Sequence, residues 1–304
     1  MKKRLFVTGL TGFVGQHLQS RLKADASEWE LLPVASRYDL SQPQSLEGLW
    51  PELPDAVIHL AGQTFVPEAF RDPARTLNIN LLGTLNLLQA LKVRGFNGTF
   101  LYVSSGDVYG QVAESELPIT ERQPPCPRNP YAVSKLSAEF LSLQWGLSEG
   151  WPVLVARPFN HIGTGQKDSF VIASAARQIS RIKQGLQAPQ LEVGDIDVTR
   201  DFLDVGDVIS AYLALLEKGV TGQVYNICSG REQSIRSLIE QLGDLAQVDM
   251  QLIQDPARLR RADQRRVCGS SAKLTQTTGW TPEITTQQSL RAILSDWEKR
   301  VRQE

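Results

Sequence analysis

Thr8-Gly9-Leu10-Thr11-Gly12-Phe13-Val14-Gly15 follows directly on the apolar run Leu5 to Thr8 and opens a segment with leucines at Leu18 and Leu22. A strand, a glycine turn and an amphipathic helix in that order are the start of a dinucleotide-binding unit. Gly9 permits the tight turn, Gly12 lets backbone amides approach a pyrophosphate, and Gly15 lets helix and strand pack closely. The spacing is Gly-x-x-Gly-x-x-Gly. A plain turn is the competing reading, and the position at the first strand and helix favours dinucleotide binding over it.

Outward from this turn, Leu31 to Ala35, Ala56 to Leu60 and Phe100 to Val103 have strand length and alternate with stretches of helical period such as Ala74 to Leu91. That rhythm predicts βαβ units and a parallel sheet. Continuous Val, Ile and Leu runs predict strands covered by helices on both faces. A further strand, Val153 to Arg157, ends at Pro158, after which the rhythm weakens. Thr199 to Val205 with a helix to Lys218, and Gly222 to Ile227, look again like sheet-and-helix material. The expected fold is α/β: a Rossmann-type doubly wound parallel sheet with a smaller mixed C-terminal substrate lobe. Residues 1–158 plus about 198–227 are expected to bind the cofactor, and about 159–197 plus 228–304 the substrate.

The 304 residues carry 41% hydrophobic and 21% charged side chains, which excludes a disordered chain, and a formal net charge of -1. That charge offers no general attraction to nucleic acid or anionic membrane, so any anion must be bound by local groups. Cys126, Cys228 and Cys268 are far apart and form no Cys-x-x-Cys pair, so neither a disulfide framework nor a metal site is indicated, and a reducing cytoplasm fits. Lys2, Lys3 and Arg4 imitate the start of a signal peptide, but Thr8 and Gly9 break the apolar stretch that follows. The chain reads as soluble and unprocessed.

After the second strand, an acidic residue would accept hydrogen bonds from the adenosine ribose of NAD; Ser36 and Arg37 stand there, with Asp39 two residues on. Arg37 favours NADPH without excluding NADH. The competing reading is a solvated loop arginine, with Asp39 serving the adenosine of either cofactor. His17, His59 and His161 are scattered and suggest no metal site; His59 and His161 read as packed or hydrogen-bonded near the cleft.

Asn129-Pro130-Tyr131-Ala132-Val133-Ser134-Lys135 reads as an N-cap, a proline at the first helical position and then an amphipathic helix. Tyr131 and Lys135 therefore share a face. A neighbouring ammonium and the positive end of the helix dipole both favour the phenolate, so the spacing predicts a lowered tyrosine pKa. The strand Leu101 to Ser104 delivers Ser104-Ser105-Gly106-Asp107-Val108-Tyr109-Gly110 to a carboxyl edge, where the Ser105 hydroxyl is placed to bond a reacting carbonyl. An exposed helix pair and satisfied strand-end hydroxyls are the plain alternatives for these residues.

With these motifs in place, the chain resembles the extended short-chain dehydrogenase/reductases over essentially its whole length. Within them it is similar to the GDP-4-keto-6-deoxy-mannose reductases. Thr8 to Gly15, His59-Leu60-Ala61-Gly62-Gln63, Asn80-Leu81-Leu82-Gly83-Thr84, Ser104 to Gly110 and Tyr131 to Lys135 carry the resemblance. It implies catalysis by Ser105, Tyr131 and Lys135. It also implies a cofactor lined by Gly9, Gly12, Phe13, Val14, Gly15, Arg37, Asp39, Leu40, Leu60, Ala61 and Gly62, together with Tyr131 and Lys135.

Arg157-Pro158-Phe159-Asn160-His161-Ile162-Gly163 resembles the motif whose asparagine contacts the nucleotide diphosphate, which assigns Asn160. Gln63-Thr64-Phe65-Val66 is similar to the sugar-side loop of GDP-mannose dehydratases, with Thr64 its polar contact. Thr199-Arg200-Asp201-Phe202 and Arg260-Arg261-Ala262-Asp263 resemble diphosphate- and ribose-binding segments, implying Arg200 and Arg260 at phosphate and Asp263 at ribose. For Arg258 to Arg266 the alternative is a solvated surface face. Family dehydratases place a glutamate two residues before the tyrosine of the Val-Tyr-Gly segment. Here that position is Asp107, one methylene shorter, which lowers the dehydratase reading without removing it.

The resemblance thus implies NAD(P)H-dependent reduction of the C4 ketone of a GDP-4-keto-6-deoxyhexose, with GDP-rhamnose as product. A dehydratase or epimerase that borrows hydride and returns it, and a non-catalytic NADP(H)-sensing regulator, are the alternatives. Retention of Tyr131 and Lys135 speaks against the last. Apolar surface on Ala74 to Leu91 and Tyr131 to Leu147 implies a homodimer, as in related proteins.

Overall fold

The computed structural model describes residues 2–24, 27–256 and 264–304. Alternate residues of its central strands enter two different cores, which is why those stretches read as unbroken apolar runs. Leu5 and Val7 of β1 (Lys3–Thr8) face one side, and Phe6 faces the other. β2 (Trp29–Leu31), β3 (Ala56–His59), β4 (Thr99–Val103), β5 (Val153–Pro158) and β9 (Val224–Ile227) complete a six-stranded sheet in the order β2-β1-β3-β4-β5-β9. All of its pairings are parallel. The helices α1 (Phe13–Ala24) and α7 (Val205–Lys218) cover one face through Leu18, Leu22, Val208 and Tyr212. On the other, α4 (Gly83–Val93) and α5 (Pro130–Glu149) contribute Leu87, Leu88, Leu91 and Ala138.

The Rossmann-type doubly wound fold expected from the sequence is therefore the fold observed. Strand order reverses between β1 and β3, and the crevice at their carboxyl ends is where such sheets bind ligands.

A second core lies around smaller sheets. β8 (Thr199–Asp204) pairs antiparallel with β10 (Glu232–Ser234) and parallel with β6 (Asn160–Ile162). β7 (Gln190–Val193) pairs parallel with β11 (Gln251–Gln254). Ile172 and Ile179 of α6 (Val171–Lys183), Leu238 and Leu242 of α8 (Ile235–Ala246), and Ile293 and Trp297 of α10 (Thr286–Val301) fill this core. Short helices α2 (Val66–Arg71), α3 (Pro73–Leu77) and α9 (Ala272–Thr278) complete the chain. Among the described residues no helix is long and apolar enough to cross a membrane.

Two elements depart from the pattern. The second strand is Trp29–Leu31, not Leu31 to Ala35. Pro33 lacks an amide donor, so pairing stops after the Leu32 amide bonds the Leu5 carbonyl at 2.9 Å, and Val34 turns outward, 37% exposed. The helical stretch expected from Ala74 to Leu91 is interrupted by a π-helical turn at Asn78–Leu82, which sets Asn80 inward, 3% exposed.

Candidate active site

The glycine turn closes against the end of β3. Gly9 has φ 76°, and a Cβ there would lie 3.0 Å from the Ala61 amide nitrogen. A Cβ on Gly15 would stand 2.3 Å from the Gly9 carbonyl oxygen, so only glycine lets α1 approach the turn this closely; at Gly12 the same contact is 3.2 Å. Phe13, Val14 and Leu60 pack on the core beneath. The Phe13 ring lies parallel to His161 at 6.1 Å, and the His17 Nε2 contacts the Thr164 carbonyl at 2.8 Å, which ties α1 to the chain after β6.

A buried hydrogen-bond chain fixes the ends of β1 and β3. The Thr8 hydroxyl accepts from the Ala61 amide at 3.0 Å and contacts His59 Nδ1 at 2.7 Å. His59 Nε2 contacts Thr84 Oγ1 at 2.9 Å, and Thr84 donates to the Asn80 carbonyl at 2.6 Å. With its one proton given to Asn80, Thr84 accepts from His59 Nε2–H, so Nδ1 accepts from Thr8. Burial pushes the imidazole down to about 3, with the Lys135 charge adding to the effect, and His59 is neutral. His161 is likewise pushed down by burial.

At the adenosine end, Arg37 is exposed and bonds no described residue. Asp39 is engaged locally: its Oδ1 accepts from the Ser41 amide at 2.9 Å and hydroxyl at 2.8 Å, which holds its carboxyl below the usual range. Leu40 is buried against Gly83, and its carbonyl accepts from Asn86 at 2.8 Å. Tyr38, unnoticed in the sequence, sets its ring 5.9 Å from that of Phe6; burial pushes its phenol up to about 12, against the influence of the Gly9 amide.

The residues singled out for chemistry converge at the neighbouring strand ends. Asn129 caps α5, accepting from the Ala132 amide at 2.7 Å, and Pro130 occupies the first turn as the sequence predicts. Tyr131 is 9% exposed, and Ser105 and Asp107 of the turn after β4 act on its phenol. Ser105 in turn accepts from the Asp107 amide at 3.2 Å and so caps the 3₁₀ turn Gly106–Tyr109. Asp107 accepts from Asn129 Nδ2 at 3.4 Å.

The lowered tyrosine pKa predicted from spacing is corrected here. Burial pushes the Tyr131 phenol up, the Asp107 charge pushes it further, and the Ser105 hydroxyl opposes them. The reason is placement: the Lys135 ammonium lies over the Tyr102 ring at 4.9 Å, deep in the protein. Lys135 is itself pushed down by burial to about 8, against the attraction of Glu139.

Asn80, named in the sequence only as part of a motif and given no role there, binds these parts together. Its Oδ1 accepts from the Gln63 amide at 2.7 Å, while its Nδ2 donates to the Gln63 carbonyl at 3.0 Å and to Ser134 Oγ at 2.8 Å. Gly62 leaves room for it, since a Cβ there would stand 2.9 Å from Asn80 Oδ1. The signal was available: a polar residue at a position that helical period marks as buried.

On the substrate side, Thr64 and Asn160 are exposed. The Gln63 side chain shapes the loop before Phe65, donating to the Phe65 carbonyl at 3.1 Å and to Thr76 at 3.2 Å. Phe65 meets Phe170 edge-on at 6.5 Å. Arg200 is 9% exposed and turns Nη1 to the carbonyls of Thr199 and Gln264, at 2.7 and 2.8 Å. Arg260 and Asp263 lie outside the described residues. In the same arginine-rich stretch, Arg265 pairs with Asp195, and Arg266 with Glu232 and Glu114.

Comparison with known proteins narrows the reading. The family model for GDP-mannose 4,6 dehydratase matches residues 33–293. The chain is 75% identical over 304 residues, all of both chains, to the GDP-6-deoxy-D-mannose reductase of Pseudomonas aeruginosa. It is 29% identical to the GDP-6-deoxy-D-talose 4-dehydrogenase of Aggregatibacter actinomycetemcomitans, over 97% of each chain. The solved structure of RMD from Pseudomonas aeruginosa complexed with NADPH superposes with a TM-score of 0.96 at 74% identity, covering 98% of this chain and 100% of that one.

Proposed function

Because the chain belongs to the GDP-mannose 4,6 dehydratase family, we propose that it reduces the C4 ketone of GDP-4-keto-6-deoxy-D-mannose to give GDP-D-rhamnose, with NADPH as the preferred reductant and NADH as a possible one. The observation that carries this reading is the Tyr131 phenol, buried on α5 one helical turn from Lys135 and acted on by both Ser105 and Asp107 of the turn after β4.

The residues present fit that cofactor. Gly9, Gly12 and Gly15 shape a turn whose amides approach a pyrophosphate, Phe13 and Val14 follow it, and Leu40, Leu60, Ala61 and Gly62 line the far side. Arg37, uncommitted to any described carboxylate, is assigned to an adenosine phosphate, and Asp39 to the adenosine beside it. When bound, NADPH supplies the hydride.

The chain's own groups manage the proton. Tyr131, kept protonated by burial and by Asp107, donates to the oxygen at C4, where negative charge develops. Ser105 is assigned to orient that oxygen, and Lys135, one helical turn along α5, to supply positive charge. Thr64 and Asp107 are assigned to the sugar, Asn160, Arg200 and Arg260 to the diphosphate, and Asp263 to the ribose. We divide the chain accordingly: 1–158 with about 198–227 for the cofactor, and about 159–197 with 228–304 for the substrate; the two cores follow this division except that Leu274 and Trp280 pack in the first, and Val198 and Phe202 in the second.

Incubating the protein with the keto-sugar nucleotide and NADPH tests the reading. Stoichiometric loss of reduced-cofactor absorbance with formation of the 6-deoxy sugar nucleotide is expected. Turnover without net cofactor use would replace it with a dehydratase or epimerase, and NADP(H) binding with no turnover would point to a sensor.

We assign the protein to the cytoplasm, where Cys126, Cys228 and Cys268 remain free thiols. A homodimer is the expected assembly. Val133, Phe140 and Leu147 recur every seven residues along α5 and are 41%, 57% and 90% exposed, an apolar stripe suited to a second copy of itself. Light scattering should report a dimer for the parent and a monomer for Phe140→Glu.

A further inference from the structure

Ionisable side chains recur every fourth residue along the inner face of α5: Tyr131, Lys135 and Glu139, at 9%, 4% and 1% exposure. The first two belong to the reaction proposed above; Glu139 has no part in it. A buried carboxylate is costly unless paired and hydrogen-bonded. Glu139 is both, in a bidentate contact with Arg157 of β5: Nη2 to Oε1 at 2.5 Å and Nε to Oε2 at 3.1 Å.

The pair links three of the segments that carry the proposed chemistry. The Arg157 guanidinium lies over the Tyr109 ring at 4.8 Å, and the Tyr109 hydroxyl donates to Asn226 Oδ1 at 2.6 Å. Tyr109 closes the turn that Ser105 caps and that contains Asp107. Arg157 itself stands three residues before Asn160 on the path from β5 to β6. The ion pair therefore joins the helix of Lys135, the turn of Ser105 and the strand leading to Asn160.

Electrostatics singles out Glu139 as well. Lys135 faces His59 from β3 and the Tyr102 ring from β4, with Glu139 one turn on along its own helix. His59 is neutral, and burial keeps the Tyr102 and Tyr131 phenols protonated. Further out, Asp107 and Tyr212 of α7 act on Tyr131, and Glu121 acts on Tyr109. Among these groups Glu139 is the negative charge that favours the Lys135 ammonium.

We propose that Glu139, clamped by Arg157, is a positioning residue that keeps Lys135 charged and holds its helix in register with the Ser105 turn. The proposal rests on the reductase reading for its consequence in turnover, and its test includes a signal independent of substrate. Protein labelled with ¹³C-lysine is titrated by NMR, with the Lys135 resonance identified by its loss in Lys135→Met, and the pH profile of kcat is measured alongside.

In Glu139→Gln the Lys135 midpoint should move toward acid by about one pH unit, roughly a tenfold loss of proton affinity. The alkaline fall of kcat should move with it. The double variant Glu139→Gln, Arg157→Gln leaves no unpaired buried charge and guards against a failure to fold; its midpoint should move the same way by a smaller amount. Arg157→Lys, which retains both charges, should leave the midpoint in place. A Lys135 midpoint unchanged in both Gln variants, with kcat lowered equally at every pH, would overturn the proposal. An inactive parent with the shifted midpoints would instead refute only the reductase reading.

Discussion

Gly15→Ala separates two roles that the glycine turn combines. The added methyl would stand 2.3 Å from the Gly9 carbonyl oxygen, 2.6 Å from Leu10 Cα and 2.8 Å from the Leu10 carbonyl carbon. All three are backbone atoms, so no side-chain rotation relieves the clash and α1 must move away from the turn. Overpacking of this kind costs about 1–3 kcal/mol. At about 2.1 cal/mol/K per residue over 304 residues, the unfolding entropy is about 0.6 kcal/mol/K, so Tm should fall by roughly 2–5 °C.

Gly12→Ala is the contrast. Its methyl meets a single atom, the Gly9 carbonyl oxygen, at 3.2 Å, so thermal unfolding should change little while NADPH affinity falls, because the methyl occupies the approach to the turn's amides. Calorimetry and fluorescence titration of NADPH read the two effects separately. A Gly15→Ala protein as stable as the parent, or a Gly12→Ala protein that loses more stability than Gly15→Ala, would refute the reasoning.

Three further outcomes follow from the site. Tyr131→Phe should lower kcat by about 10²–10⁴-fold while leaving the dissociation constant of NADPH within about twofold, read by stopped-flow reduction and fluorescence titration. Arg37→Ala should weaken NADPH binding by about tenfold to a hundredfold and leave NADH nearly unchanged; equal losses for both would remove Arg37 from the phosphate. His59, pushed down to about 3 in the fold from an ordinary value of 6.5, takes up its proton more readily when unfolded. Its contribution to stability is therefore complete above pH 6.5 and is lost as pH falls toward 3, with about 2 kcal/mol gone by pH 5. Urea unfolding of the parent and of His59→Asn at pH 8 and pH 5 should show a smaller acid loss in the variant.

What was legible in the sequence was whatever one element decides alone. Leu5, Phe6 and Val7 announced a strand buried on both faces, and Asn129-Pro130 announced the start of α5; both stand in the structure. Pro33 ended the second strand early by a rule of backbone chemistry that the apolar count over Leu31 to Ala35 overrode. The π-helical turn at Asn78–Leu82 was hidden because its purpose lies in another element: it aims Asn80 at the Gln63 backbone and at Ser134. Glu139 was invisible for the same reason, its partner Arg157 standing on a strand across the fold. Spacing correctly put Tyr131 and Lys135 on one helix face, but it carried no information on burial, which reverses the direction of the phenol's shift.

That reversal bears on the direction of the chemistry. Oxidising an alcohol requires a base, and a tyrosine with a depressed pKa would serve as one. Reducing a ketone requires an acid, and the acceptor for its proton is an oxygen on which alkoxide charge is developing, more basic than a phenolate. A phenol whose pKa is raised by burial and by Asp107 is a weaker acid, but it stays protonated in the resting site and its transfer to such an oxygen remains downhill. Asp107, at the position where the resemblance places a dehydratase glutamate, disfavours the Tyr131 phenolate and so keeps on the phenol the proton that the proposed reduction uses.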